Sequence, residues 1–121
     1  TKAKELNVKY IDNKKLNKFE KKQYRESIKK FTSNCDYIYI SICMDVFAQQ
    51  LAPGVSAPQA LGIDPDIFFD LLEYILKTNS VIAIDIVETA PRLDINEQTS
   101  KLAAYIIHNI ITTLSSMIEG I

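Results

Sequence analysis

Two stretches of the chain are short and almost continuously apolar: Tyr37-Ile-Tyr-Ile-Ser-Ile-Cys-Met44 and Val81-Ile-Ala-Ile-Asp-Ile-Val87. Their length and β-branched content predict central strands covered on both faces, as in a parallel sheet. A weaker alternating run, Asn7-Val-Lys-Tyr-Ile11, predicts a third short strand, broken by Asp12-Asn13. Elsewhere apolar residues recur every third or fourth position. From about Lys14 to Phe31, Leu16, Phe19, Ile28 and Phe31 form a thin stripe among lysines, which predicts a surface helix with one narrow buried edge. Asp64-Pro65-Asp66 opens a second helix with a cap, a proline in the first turn and an acid there. Ile67, Phe68, Leu71, Leu72, Ile75 and Leu76 supply its core face, and Asn79-Ser80 stops it. A last helix from near Asn96 presents Ala103, Ile106, Ile107, Ile110, Ile111, Leu114, Met117 and Ile118. Phe68-Phe69, Tyr37 and Tyr39 are expected in the core.

Strands alternating with helices imply a parallel α/β sheet with helices on its faces. Three strands and three helices would leave apolar surface bare, so the chain reads as part of a domain. The connection from Val46 to Ile63, with Pro53-Gly54 and Pro58, is long and lacks periodicity. Directly after a buried strand, such a segment predicts a functional loop.

Composition adds limits. Of 121 residues, 47% are hydrophobic and 24% charged, the balance of a folded chain. The net charge of −1 is unevenly spread: residues 1–34 hold 11 Lys/Arg against 4 Asp/Glu, and residues 35–121 hold 3 against 11. The early lysines surround their helix without interleaved aromatics, so they predict a solvated face and not a nucleic-acid site. Cys35 and Cys43, eight apart, match neither a zinc knuckle nor a disulfide framework and suit a reducing, cytoplasmic compartment. Cys35 reads as a small packing residue. No apolar run has the roughly 20 residues of a membrane span. The start at Thr1, without an initiating Met, suggests that the chain begins mid-sequence.

Ligands of open parallel sheets bind beyond the carboxyl ends of the strands. Asp45 and Glu88 close the two apolar strands. If these strands are neighbours, about 4.8 Å apart, both carboxylates reach one crevice. Cys43 and Asp45, two apart on an extended segment, point the same way. Such a pair could serve metal ions, or the acids could simply solvate and cap loops. Asp85, inside an apolar strand, needs a hydrogen-bond partner. Arg92 reads as a surface salt-bridge residue, and His108 as an exposed helix residue.

Ser41-Ile-Cys-Met-Asp-Val46, Ala52-Pro-Gly-Val-Ser-Ala-Pro58, Asp85-Ile-Val-Glu-Thr-Ala-Pro91 with Asp94, and Thr99 with Ala103-Ala104 follow one another in order. Together they resemble the C-terminal part of the ureohydrolase (arginase/agmatinase) superfamily, and the second motif most resembles its formimidoylglutamase branch. The resemblance implies a three-layer α/β/α sandwich with a parallel sheet, residues 1–121 being the C-terminal segment of one domain whose N-terminal half is absent. It implies a binuclear metallohydrolase with two divalent ions, manganese by expectation. The substrate it implies is a small linear amidine, N-formimidoyl-L-glutamate in histidine degradation, hydrolysed to glutamate and formamide. By position, Asp45 is a metal ligand, and Cys43 stands where the family has its bridging aspartate. Glu88 matches the glutamate that holds the cationic group, making it both catalytic and substrate-binding, and Ser56 lines the pocket. The family's histidine ligands and Asp-x-His-x-x-x-Asp motif are not in this sequence, so the fragment alone is expected to be inactive. Its partners are the substrate and the missing N-terminal segment, with neither nucleic acid nor membrane; a homo-oligomer stays open. Other readings are an agmatinase- or arginase-type amidinohydrolase, a catalytically silent protein of the same fold, and an independent α/β binding module.

Overall fold

The computed structural model describes residues 2–119. Its elements run α1 (Lys2–Glu5), α2 (Asn13–Leu16), α3 (Lys21–Thr32), β1 (Ile38–Cys43), α4 (Pro65–Thr78), β2 (Val81–Val87) and α5 (Gln98–Ile118). One-turn 3-10 helices follow each strand, Met44–Val46 after β1 and Pro91–Leu93 after β2.

β1 and β2 pair in parallel, with Ser41 opposite Asp85, Ile42 opposite Ile86 and Cys43 opposite Val87. The expected third strand does not form. Asn7 sits at φ 55°, outside extended geometry, and Val8, Tyr10 and Ile11 are exposed. An alternating run becomes a strand only against a partner, and this segment pairs with neither open edge of the β1–β2 sheet. The expected helix from Lys14 to Phe31 is interrupted. Asp12 caps α2 by accepting the Lys14 N–H at 2.8 Å. Glu20 is extended, and its N–H donates to the Gln23 side chain at 2.7 Å to begin α3 afresh. In the break, Asn17 donates its amide to Gly62 O at 2.9 Å and accepts the Asp64 N–H at 2.9 Å. The basic segment therefore braces the long loop.

α4 follows its sequence signals: the Asp64 carboxylate accepts the Asp66 N–H at 2.8 Å, and Pro65 begins the helix. The core joins Ile42, Met44, Phe47, Ala52, Val55 and Ile63 to Phe68, Leu72 and Leu76 of α4 and Ile106 and Ile110 of α5. Phe47 meets Phe68 edge to face at 4.8 Å. Loop residues thus fill much of the core, which explains how a stretch without periodicity stays ordered.

Among the described residues, helices cover one face of the sheet and leave the other open. Tyr39 and Ser41 are exposed, as are Ala83 and Val87 opposite and beside them. Tyr37 and Tyr39, expected in the core, are 67% and 60% exposed, because odd-numbered positions of β1 point away from α4 and α5. Half of the apolar face of α5 is bare as well, including Ile107, Ile111, Leu114 and Ile118. Cys35, expected as a packing residue, is exposed. Among the described residues, no helix is long and apolar enough to cross a membrane.

α3 is fastened to α4 by one carboxylate. Asp70 accepts both Arg25 Nη2 at 2.6 Å and Nε at 3.0 Å, the Tyr24 hydroxyl at 2.7 Å, and faces Lys21 Nζ at 3.3 Å. The Arg25 bonds hold Asp70 down to about 2 despite partial burial, while burial and Asp70 push Tyr24 up to about 12. Because the folded carboxyl lies below its ordinary value of 3.8, this stabilisation is complete above about pH 4 and lost as pH falls towards 2. Asp70→Asn is therefore expected to lower the unfolding midpoint at pH 7, with the difference from wild type narrowing as pH falls from 4 to 2. Thermal unfolding across that range checks it.

Candidate active site

Parallel pairing decides the location. Cys43 lies opposite Val87 at the last register position, so both strands deliver their next residues to the same edge of the sheet. Asp45 comes from the 3-10 turn after β1, anchored by the fully buried Met44. Glu88 comes immediately after β2, in the left-handed region at φ 74°. A non-glycine residue there is strained by about 1 kcal/mol or more and persists only where its surroundings impose it. The turn aims its carboxylate at the long loop, where the Ser56 hydroxyl donates to Oε2 at 3.2 Å.

Cys43 and Asp45 do meet: the thiol donates to Asp45 Oδ1 at 2.7 Å. Burial pushes the thiol's pKa up, and the Asp45 hydrogen bond and the nearby Glu88 charge push it the same way. In this arrangement the Cys43 thiol occupies an Asp45 oxygen. Asp85 finds the partner it needs in Ser41, whose hydroxyl donates at 2.6 Å across the strand pair.

The fit to a metal is partial. Asp45 offers a hard oxygen donor of the kind manganese takes. Among the described residues, however, no three His, Cys, Asp or Glu groups stand together closely enough to hold an ion. His108 is exposed on α5, far along the helix from its start at Gln98. Arg92 is exposed too and joins none of the ion pairs among the described residues, contrary to the salt bridge expected of it.

The family model of the arginase family matches residues 1–112. The chain belongs to the arginase family. Within that family it is 46% identical to the formimidoylglutamase of Clostridium tetani over 92 residues, which is 76% of this chain and 27% of that protein. The formimidoylglutamase of Legionella pneumophila strain Paris is 43% identical over 112 residues, 93% of this chain and 35% of its own length. Among solved arginase-family structures, the formimidoylglutamase of Bacillus subtilis superposes with a TM-score of 0.83 at 29% identity, covering 93% of this chain and 36% of that one. A Bacillus subtilis arginase superposes at 0.78 with 23% identity over 89% of this chain and 38% of that one, a likeness of fold. The expected arginase-like α/β fold is thus borne out. The chain spans about a third of the length of the curated relatives it matches.

Sequence reasoning passed over Gly54 and the role of Thr99 as a binding partner. The Thr99 hydroxyl, fully buried, accepts the Gly54 N–H at 2.7 Å. The Ala90 N–H donates to Gly54 O at 2.6 Å. Thr99 and Gly54 both lie within quoted motifs, but 45 residues apart along the chain, so nothing in either motif announces that they touch.

Proposed function

We propose that the full-length protein is a formimidoylglutamase, a metal-dependent cytoplasmic hydrolase that converts N-formimidoyl-L-glutamate and water to L-glutamate and formamide in histidine degradation. The observation carrying this reading is that two paired parallel strands deliver Asp45 and Glu88 to the same end of the sheet, with Ser56 hydrogen-bonded to Glu88, in a chain of the arginase family. In this reading residues 1–121 are the C-terminal segment of one domain. The second helix layer and the remaining metal ligands come from polypeptide outside it.

Glu88 holds the planar cationic amidine by a charge-assisted pair, the geometry a carboxylate suits best. Ser56 donates to one Glu88 oxygen and leaves the other for substrate. Asp45 is a ligand of a two-ion manganese centre, and Cys43 supports it as a hydrogen-bond donor. When bound, such a centre supplies an activated water and stabilises developing negative charge. Substrate is the small-molecule partner, and subunit association is left to solution measurement.

The test is formamide release from N-formimidoyl-L-glutamate by full-length protein, before and after chelation and after manganese return. Release that is lost on chelation and restored by manganese is the expected result. Agmatine or arginine hydrolysis in its place would move the protein to another amidinohydrolase class. The Cys43–Asp45 hydrogen bond favours one further reading, a silent member of the fold, which predicts no bound divalent ion even after reconstitution.

A further inference from the structure

Two contacts join the long loop after β1 to the turn after β2. Gly54 faces Ala90 through the Ala90 N–H to Gly54 O bond at 2.6 Å, and two residues on, Ser56 faces Glu88 at 3.2 Å. Gly54 and Ser56 are two residues apart, so holding Gly54 against Ala90 limits how far Ser56 can move from Glu88. What fixes Gly54 from behind is α5. Its N–H donates to the Thr99 hydroxyl at 2.7 Å. The Gln98 side-chain amide donates to Gln50 O, further back on the same loop.

The start of α5 is itself rigid. Asp94 accepts the N–H groups of Ile95 at 3.0 Å, Thr99 at 3.0 Å and Ser100 at 3.1 Å. Burial would raise this carboxyl, but these N–H groups and the Thr99 side chain hold it down to about 2, so it stays charged over the working range. Gly54 approaches so closely that an added Cβ would lie 2.7 Å from Asp94 Cγ, a carbon that cannot swing away without releasing those donors.

We propose that Thr99 is a positioning residue for the substrate pair, holding the loop through the Gly54 N–H so that Ser56 orients the Glu88 carboxylate. This inference rests on the reading of Glu88 and Ser56 as the pair that holds substrate. Thr99 touches neither of them; it acts through Gly54 and the two-residue step to Ser56.

A double-mutant cycle on the full-length protein tests it, with formamide release from N-formimidoyl-L-glutamate as readout. Thr99→Val keeps the side-chain shape and removes the acceptor. It is expected to lower kcat/KM by about tenfold or more, since small misplacements of orienting groups cost that much. Thr99→Ser restores the acceptor and should retain activity within about threefold of wild type. On a Ser56→Ala background, Thr99→Val should cost much less than on wild type, because the group it positions is already gone. Thr99→Cys, with a weak sulfur acceptor, takes the place of Thr99→Val if the valine variant does not fold. Equal losses on both backgrounds, or wild-type kinetics for Thr99→Val while Ser56→Ala and Glu88→Gln are impaired, would overturn the positioning role alone. Wild-type kinetics for Ser56→Ala and Glu88→Gln would instead overturn the substrate reading beneath it.

Discussion

Glu88→Gln in the full-length protein is expected to reduce kcat/KM for N-formimidoyl-L-glutamate by about 30-fold at the least and up to several thousandfold. Losing one partner of a hydrogen-bonded charge pair costs about 2–5 kcal/mol, and each 1.36 kcal/mol is about tenfold in rate. Glutamine preserves the size of the side chain and leaves a carbonyl oxygen for the Ser56 hydroxyl. It removes the negative charge and turns one acceptor into a donor, facing a cationic substrate with the wrong polarity. Because Glu88 is exposed, the unfolding midpoint should hardly move, which separates loss of chemistry from loss of fold. Steady-state kinetics and thermal unfolding of the same preparation check both halves. Asp45→Ala is the companion, and it should also lower the metal content, which Glu88→Gln should leave intact. Full activity in both variants would end the proposed function.

Gly62→Ala is expected to cause the largest loss of stability from a single added methyl group, about 3 kcal/mol, or roughly 4–5 °C in a protein of the relatives' size. A Cβ at this position would lie 2.5 Å from the Phe47 carbonyl carbon and 2.7 Å from Val46 O, and would also strike the backbone N of Ala48. Those atoms are main chain, immediately after the 3-10 turn that carries Asp45, and cannot rotate aside. Val46 O also accepts the Ile63 N–H at 2.9 Å, and the Gly62 carbonyl accepts Asn17. Displacing Gly62 would therefore strain the bonds that close the base of the long loop. Its effect on activity should follow, because Phe47 is fully packed beside Asp45's turn. Thermal unfolding measures the first effect, and formamide release at a temperature well below the midpoint measures the second. A midpoint within about 2 °C of wild type would show that the backbone yields more easily than its hydrogen bonds indicate.

Much of the frame was legible. The Val81–Val87 strand has its expected ends, the other strand is trimmed by one residue at each side, and α4 begins where Asp64-Pro65 announces it. These elements carry strong local signals: dense β-branched runs, a carboxylate cap and a proline confined to the first turn. That Asp45 and Glu88 follow the carboxyl ends of neighbouring parallel strands was legible too, because such strands send those ends to one side of the sheet. The weak segments failed for a common reason. Asn7–Ile11 alternates like a strand but pairs with neither open edge of the two-stranded sheet, because Asn7 turns the chain out of extended geometry, and the Lys14–Phe31 stripe spans a break that Asn17 uses to hold Gly62 and Asp64. Tyr37 and Tyr39 look like core residues, yet their face of the sheet is bare in this chain.

The sequence by itself determined the element types, the arginase-family motifs and the placing of two carboxylates after two apolar strands. These are properties of residue spacing, where backbone preference and hydrophobic period act over a few positions. Only the tertiary structure decided that Cys43 spends its proton on Asp45, that Ser56 meets Glu88, and that Thr99 holds Gly54 across 45 positions of chain. Such contacts depend on angles and distances between segments brought together by burial of a shared core, and no local pattern encodes them.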